Sequence, residues 1–166
     1  TCDEIENAPW QQHTFYNPTD GSYDTRSGSQ ELDIAYGENI TTQAHIMQRI
    51  HDAYSEYLTR LQLPWFNGWS GFSEVRFNRY EESRLMAEHC DHIHSMFDGK
   101  RKGIPTMTFL ASLNDEYTGG EFVMWGDEVI PMGKGSALVF PSCFLYPHRV
   151  DPITSGIRYS CVSWSW

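Results

Sequence analysis

From residue 71 onward, short stretches rich in β-branched and aromatic residues alternate with turn-forming residues, and no second long helical period occurs. Such stretches, bounded by Gly, Pro, Asn or Asp, are typical of strands that bury one face. About eight short strands at this spacing predict a sandwich or jelly roll. The main candidates are residues 72–80, 105–113, 121–125, 128–130, 136–140 and 157–166.

One helical period precedes the strands. Apolar residues recur there every three or four positions, at Ile40, Ile46, Met47, Ile50, Tyr54, Tyr57, Leu58 and Leu61. This spacing predicts a supporting helix over residues 39–63, which begins after Thr41 or Thr42, ends before Pro64 and packs on one sheet.

Residues 1–38 are polar and rich in turn formers, so they predict a loop-rich segment with short strands near 14–16 and 32–35. No repeat or linker divides the chain. We therefore expect one domain over residues 1–166, with the β core at residues 70–166.

The formal net charge of −10 disfavours nucleic acid as a partner, because an acidic surface repels phosphates. Residues 99–103 are a local exception, because three of the five are cationic. This segment could fold over a substrate chain or form a solvated hairpin tip. No apolar run approaches the ~20 residues that span a bilayer. Without a membrane partner or a secretory pattern at residue 1, the expected location is the cytoplasm.

The four cysteines form no CxxC pair, which favours reduced thiols. The last three, at positions 90, 143 and 161, are predicted to lie in strands.

A candidate metal site begins at His89 and Asp91. Residues two apart on a strand project from one face, so these two would point together while Cys90 points away. His148, which follows a turn at Pro147, is the candidate for the third ligand. Two imidazoles and a carboxylate leave positions open on iron for a bidentate acid and dioxygen. Zinc accepts the same ligands, so the ligand set alone does not choose the metal.

The other histidines are weaker candidates. His94 shares the parity of His89 and could line the same cleft, whereas His92 would face away. The remaining three are predicted to be surface or core residues: His13, His45 and His51. Trp125 is a candidate wall for a substrate, with a place in the core as the alternative.

The last strand carries Arg158 on an inward face shared with Ser160, Val162 and Trp164. A buried guanidinium is costly unless an anion pairs with it. A carboxylate cosubstrate that reaches from the metal would satisfy Arg158 in a bidentate manner. The alternative is a salt bridge to an internal Asp or Glu.

These motifs, taken in order, resemble the 2-oxoglutarate and Fe(II)-dependent dioxygenases, and within them the prolyl 4-hydroxylase-like group. The resemblance covers residues 75–166 and rests on the segments 79–80, 89–91, 112–114, 119–122, 131–140 and 148–164. It implies a mainly β fold, the double-stranded β-helix (a cupin-like jelly roll), with the long helix packed on one sheet.

The resemblance also implies residue roles. The iron ligands would be His89, Asp91 and His148, and Arg158 would pair with the distal carboxylate of 2-oxoglutarate. The remaining residues assigned to the cosubstrate pocket are Tyr80, Ser160 and Trp164, the last as the aromatic that closes the site.

Three positions depart from the family pattern. Ser83 replaces a frequent Gly, Ser112 replaces an aromatic, and Arg158 stands where collagen-type members carry Lys. These departures leave the iron ligands intact and bear mainly on the substrate.

The implied activity is hydroxylation of a prolyl residue in a peptide or protein partner, with decarboxylation of 2-oxoglutarate to succinate. Fe(II), 2-oxoglutarate and O2 would take part, with ascorbate as a possible reductant. Alternatives are the same chemistry on another substrate, a non-catalytic cupin-like metal-binding module, and a zinc hydrolase. The sequence does not predict the oligomeric state.

Overall fold

The computed structural model describes residues 2–17, 19–37, 40–66, 68–91 and 105–166. The helices are α1 (Cys2–Ile5) and α2 (Gln43–Leu61), with a 3-10 turn at Gly28–Gln30. The first strands are β1 (Gln11–Gln12), β2 (Phe15–Tyr16), β3 (Tyr23–Asp24), β4 (Asp33–Tyr36), β5 (Arg76–Tyr80) and β6 (Met86–His89). The later strands are β7 (Met107–Ser112), β8 (Tyr117–Gly119), β9 (Phe122–Met124), β10 (Glu128–Ile130), β11 (Ala137–Pro141), β12 (His148–Val150), β13 (Ile153–Gly156) and β14 (Arg158–Ser165).

Two antiparallel sheets form the body of the protein. The larger has the strand order β1-β4-β5-β14-β7-β11 and the smaller has the order β10-β9-β12-β6. A buried apolar cluster lies between them, with Leu110 and Val162 from the larger sheet and Phe122, Met124 and Val150 from the smaller. The predicted mainly β jelly roll is confirmed, and its sheets are antiparallel and not closed.

Helix α2 covers the outer face of the larger sheet. Ile50 and Tyr54 are buried against Phe77, Phe109 and Cys161 in a second apolar cluster. The Tyr54 hydroxyl lies 3.1 Å from the Ser163 carbonyl oxygen, and this contact ties the helix to β14. The alternation along β14 therefore separates the two layers, since Cys161 faces the helix while Val162 faces the smaller sheet.

The ends of α2 differ in detail from the prediction. Thr42 is the N-cap residue, but its hydroxyl donates a hydrogen bond to Glu4 (2.8 Å) and accepts none from the N–H groups of the first helical turn. The helix ends before Pro64, as predicted, at Gln62, whose left-handed backbone (φ 50°) lets its N–H bond the Leu58 carbonyl.

The N-terminal segment is more than a loop. Strands β1 and β4 extend the larger sheet beyond β5, and β4 pairs with β5 in antiparallel register. Leu32 and Ile34 from this segment are part of the inner apolar cluster. The core therefore draws on residues well before position 70.

The cysteine prediction was partly wrong. Only Cys161 lies in a strand, whereas Cys90 follows β6 and Cys143 lies in a bend. All four thiols are free. In the described ranges, no helix is both long and apolar enough to cross a bilayer.

Candidate metal centre

Three side chains that are far apart in sequence meet at one end of the inner cluster. His89 is the last residue of β6 and is the cross-strand partner of His148, the first residue of β12. Asp91 lies in a bend just past β6, so the expectation that it shares a strand with His89 was wrong. Asp91 Oδ1 is nevertheless 3.3 Å from His89 Nε2 and 3.7 Å from His148 Nε2. The three ligand atoms lie within 4.8 Å of one another.

Backbone carbonyls orient both imidazoles. The Ala87 carbonyl oxygen lies 2.8 Å from His89 Nδ1, and the Tyr146 carbonyl oxygen lies 3.0 Å from His148 Nδ1. Because a carbonyl can only accept, each Nδ1 carries the hydrogen and each Nε2 keeps its lone pair toward the centre. This arrangement of the outer nitrogen is the usual one for histidines that bind metals.

The charge states also suit a metal. Burial by itself would raise the pKa of Asp91, but the neighbouring His148 and His89 rings and the hydrogen bond from Thr108 hold that pKa below its usual range. Burial lowers the pKa of His148, although Asp91 opposes this effect. The centre therefore offers an ionised Asp91 carboxylate and a neutral His148 imidazole, which is the state in which these groups bind metals.

A hydroxyl chain supports Asp91 from behind. Thr108 Oγ1 donates to Asp91 Oδ2 at 2.7 Å, and Ser142 Oγ lies 2.9 Å from the same Thr108 oxygen. All three side chains are buried. The sequence prediction missed Thr108, although its position on the inward face of β7 could have revealed it.

Arg158 is 1% exposed, and its guanidinium lies over the Tyr80 ring at 5.0 Å. Its Nη1 donates to Ser160 Oγ (3.2 Å), but Nε and Nη2 have no hydrogen-bond partner in the described part of the chain. No described carboxylate lies within ion-pair distance of this cation. Two buried donors without acceptors suit a carboxylate ligand.

Gly120 makes room for Arg158. Its φ of +69° is one that other residues rarely adopt. A Cβ at this position would lie 2.3 Å from Ile153 Cδ1 and 3.1 Å from Arg158 Cδ, so a side chain would displace both. The Gly-Gly turn before β9 is thus part of the Arg158 pocket.

Two cavities adjoin these groups. Arg158 borders one of about 220 Å³, together with Tyr117, Gly120, Phe122, Ile130 and Met132. The triad borders another of about 30 Å³, which has room for roughly two water molecules. Phe122 lines both cavities, and Tyr80, whose ring contacts the Arg158 guanidinium, lines the triad cavity. These two rings therefore lie where the Arg158 pocket and the triad cavity adjoin.

The other predicted residues have varied outcomes. Ser160 accepts from both Arg158 and Asn78, and Trp164 is buried beside the triad cavity. His13 is buried, and burial lowers its pKa to about 2. Trp125 is 50% exposed and borders neither cavity. Several predictions fall outside the described residues, namely His92, His94 and the loop at 99–103.

Arg76 is the second residue that the sequence prediction missed. It lies on β5, where it shares the inward face with Asn78 and Tyr80, and it borders the triad cavity. The rule that residues two apart on a strand face the same side, which was applied to β14, would have placed Arg76 on the inward face of β5.

Residues 75–166 match the family model described as the 2OG-Fe(II) oxygenase superfamily. A PKHD-type hydroxylase of Delftia acidovorans is 34% identical over 97 residues, which is 54% of this chain and 42% of that protein. A PKHD-type hydroxylase of Shewanella oneidensis is 39% identical over 93 residues, covering 53% and 40%. The matched region thus spans about two fifths of the length of these curated relatives.

Solved structures share the fold at low identity. A Pseudomonas putida prolyl-4-hydroxylase aligns with a TM-score of 0.61 and 18% identity, over 98% of this chain and 95% of that one. A prolyl hydroxylase from Trichoplax adhaerens, in complex with a peptide fragment of the hypoxia inducible factor oxygen degradation domain, aligns with a TM-score of 0.66 and 16% identity. That alignment covers 99% of this chain and 73% of the other.

Proposed function

The chain belongs to the 2OG-Fe(II) oxygenase superfamily, and on that premise we propose that it is a 2-oxoglutarate-dependent dioxygenase that hydroxylates a prolyl residue in a peptide or protein. The single observation that carries this proposal is the pairing of the buried triad with a buried Arg158 that lacks a counter-ion. The hydroxylase relatives and the prolyl hydroxylases of similar fold support the prolyl acceptor. We further propose that the described residues act as one domain.

The residues present fit both absent groups. The Nε2 atoms of His89 and His148 and the carboxylate of Asp91 would hold Fe(II), because these three ligand atoms already converge. The free N–H groups of Arg158 would pair with the distal carboxylate of 2-oxoglutarate. Tyr80 and Ser160 would keep this guanidinium in place from either side.

Iron and 2-oxoglutarate would supply the oxidising power, since O2 converts 2-oxoglutarate to succinate and CO2 while its second oxygen atom enters a substrate C–H bond. The protein positions the groups and excludes water. Phe122 and Phe140 flank the His148 ring at 5.3 and 5.2 Å, and Phe15 lies 5.5 Å from the His89 ring. These rings surround the imidazoles with apolar surface, which strengthens the local electrostatic contacts. Trp164 would close the site, and ascorbate would serve as a reductant.

The two rival functions use less of the site. A zinc hydrolase or a non-catalytic metal-binding module would account for the triad, but neither has a role for a buried guanidinium with two free donors. The oxygenase accounts for both.

The test is succinate formation from 2-oxoglutarate with Fe(II), O2 and a panel of prolyl peptides. We expect His148→Ala to abolish turnover, because one imidazole ligand is lost. His51→Ala is the matched control, since His51 lies exposed on α2 and should not affect the rate. Iron-dependent turnover that persists in His148→Ala would refute the assignment of the ligands. Zinc-dependent cleavage of the peptides without succinate formation would favour the hydrolase.

A further inference from the structure

A second buried arginine lies on the same sheet face as Arg158, at the other end of the strand pair. In the antiparallel register of β5 and β14, Tyr80 is opposite Arg158 and Arg76 is opposite Val162. These two positions are four residues apart on β14, or roughly 13 Å at about 3.4 Å per residue. Arg76 and Arg158 therefore mark opposite ends of the inner face.

The triad lies near the Arg76 end. Trp164 is opposite Thr108 in the register of β14 and β7, and the Thr108 hydroxyl donates to Asp91. The Arg76 guanidinium lies over the Trp164 ring at 4.9 Å. Arg76 also borders the triad cavity, which Arg158 does not. A cosubstrate that reaches from Arg158 to the metal would thus approach from the side opposite Arg76.

No carboxylate among the described residues lies within ion-pair distance of Arg76, although Asp91 is near enough to act on its charge. Arg76 is 9% exposed, and its Nε donates to Asn78 Oδ1 at 3.1 Å. None of the described residues forms an ion pair with it, and the carboxylate of Asp91 is already engaged by the two histidines and Thr108. Arg79 on the opposite face of β5 differs, because it pairs with Asp33 at 3.0 Å.

We propose that Arg76 binds a carboxylate of the substrate and so selects acceptors that carry a negative charge next to the hydroxylated residue. This inference rests on the proposed function. A guanidinium that borders a small cavity can hold a carboxylate through two parallel hydrogen bonds, and the Trp164 ring fixes its plane. The carboxylate could be that of a free amino acid or chain end, or that of an acidic side chain beside the acceptor.

Local recognition of this kind suits a protein with a net charge of −10. Its overall field repels anionic substrates at long range, and this effect weakens beyond the Debye length of about 8 Å at physiological salt. A buried cation near the metal therefore acts on the bound substrate more than on its approach.

The test measures binding without turnover, with Zn(II) in place of iron and 2-oxoglutarate present. Calorimetric titrations compare N-acetyl-L-proline with its neutral amide, and acetyl-Pro-Glu-amide with acetyl-Pro-Gln-amide. We expect the charged member of at least one pair to bind roughly tenfold more tightly or better. A preference in the first pair identifies a terminal carboxylate, and a preference in the second identifies an acidic side chain. Equal binding, or no binding, of both members in both pairs overturns the proposal.

Variants separate recognition from structural support. Arg76→Met should reduce the charge preference to about twofold or less, and Arg76→Lys should restore part of it. Arg79→Met removes the same charge from the same strand but on the outer face, so it should keep the preference. The proposal is overturned if Arg76→Met still prefers the charged ligands as wild type does. It is also overturned if Arg76→Met loses both this preference and the binding of 2-oxoglutarate. If the wild-type protein does not bind 2-oxoglutarate at all, the proposed function itself fails.

Discussion

Replacing Arg158 by Met should change stability and ligand binding in opposite directions. In the ligand-free protein, Arg158 contributes two buried N–H donors without acceptors, Nε and Nη2. Each such group costs about 1–3 kcal/mol, so the substitution relieves roughly 2–6 kcal/mol. It also removes the hydrogen bond to Ser160 and the contact with the Tyr80 ring, together worth about 1–3 kcal/mol.

Taking the middle of each range, the net expectation is a gain of about 2 kcal/mol in the free energy of unfolding. For a chain of this size, that corresponds to a rise in Tm of about 4–8 °C. Ser160 Oγ still accepts a hydrogen bond from Asn78 in the variant, so the substitution does not leave this buried hydroxyl without a partner. In contrast, the wild-type protein should gain about 2.7 kcal/mol from 2-oxoglutarate at a hundred times its Kd, and the variant should gain almost none.

Urea unfolding of the Zn(II)-loaded proteins, with and without 2-oxoglutarate, measures both effects. Arg79→Met is the matched control, because Arg79 has one buried donor without a partner, Nε, but also pairs with Asp33 and Glu81, so its loss should not raise stability. A ligand-free Arg158→Met protein that is less stable than wild type would refute the cost assigned to the orphan donors. An undiminished stabilisation by 2-oxoglutarate would refute the role of Arg158 in binding.

Three further predictions concern the surroundings of the site. Thr108→Val removes the hydroxyl that donates to Asp91 and should weaken metal affinity about 10–100-fold in a Zn(II) competition titration; unchanged affinity would contradict that support. Because burial lowers the pKa of His13 to about 2, the fold keeps this imidazole neutral while the unfolded chain protonates it below about pH 6.5, so stability falls as the pH falls. Urea unfolding at pH 7 and pH 5 should show that the free energy of unfolding falls by about 2 kcal/mol more in wild type than in His13→Gln. An equal fall in both proteins would contradict this, as would an equally reduced fall in the exposed control His51→Gln. Burial raises the pKa of the Cys161 thiol to about 12, so mass spectrometry after native iodoacetamide treatment at pH 8 should find it unmodified until the protein is denatured, and rapid native labelling would contradict its burial.

The sequence predicted most of the elements because their patterns are local. Alternation placed β5, β7, β11 and β14 within a few residues of their actual ends, and the helical period located α2. The helix begins after Thr42, as predicted, but the hydrogen bond from Thr42 to Glu4, in a distant part of the chain, was not predicted. The spacing of apolar residues along the helix carries no information about hydrogen bonds to residues far away in sequence.

The candidate site was predicted in its parts but not in its surroundings. His89, Asp91 and His148 do converge, although Asp91 reaches the centre from a bend and not from the strand. The contribution of the N-terminal segment went unpredicted, since Phe15 contacts the His89 ring, and His13 contacts Phe15, only through tertiary packing. The patterns of residues 1–38 are too polar and too short to indicate a core element.

The direct cross-strand pairing of His89 and His148 has a consequence for how the centre would be assembled. Two of its three proposed ligands are neighbours in a backbone ladder, and each ring is held by a main-chain carbonyl. The polypeptide therefore orders these groups when the sheets form, without a metal ion as a template. The fold would then not require the metal, unlike that of a zinc finger, although a metal bound only by the folded protein would still stabilise it. Such a preorganised centre could exchange its metal while the jelly roll around it stays folded.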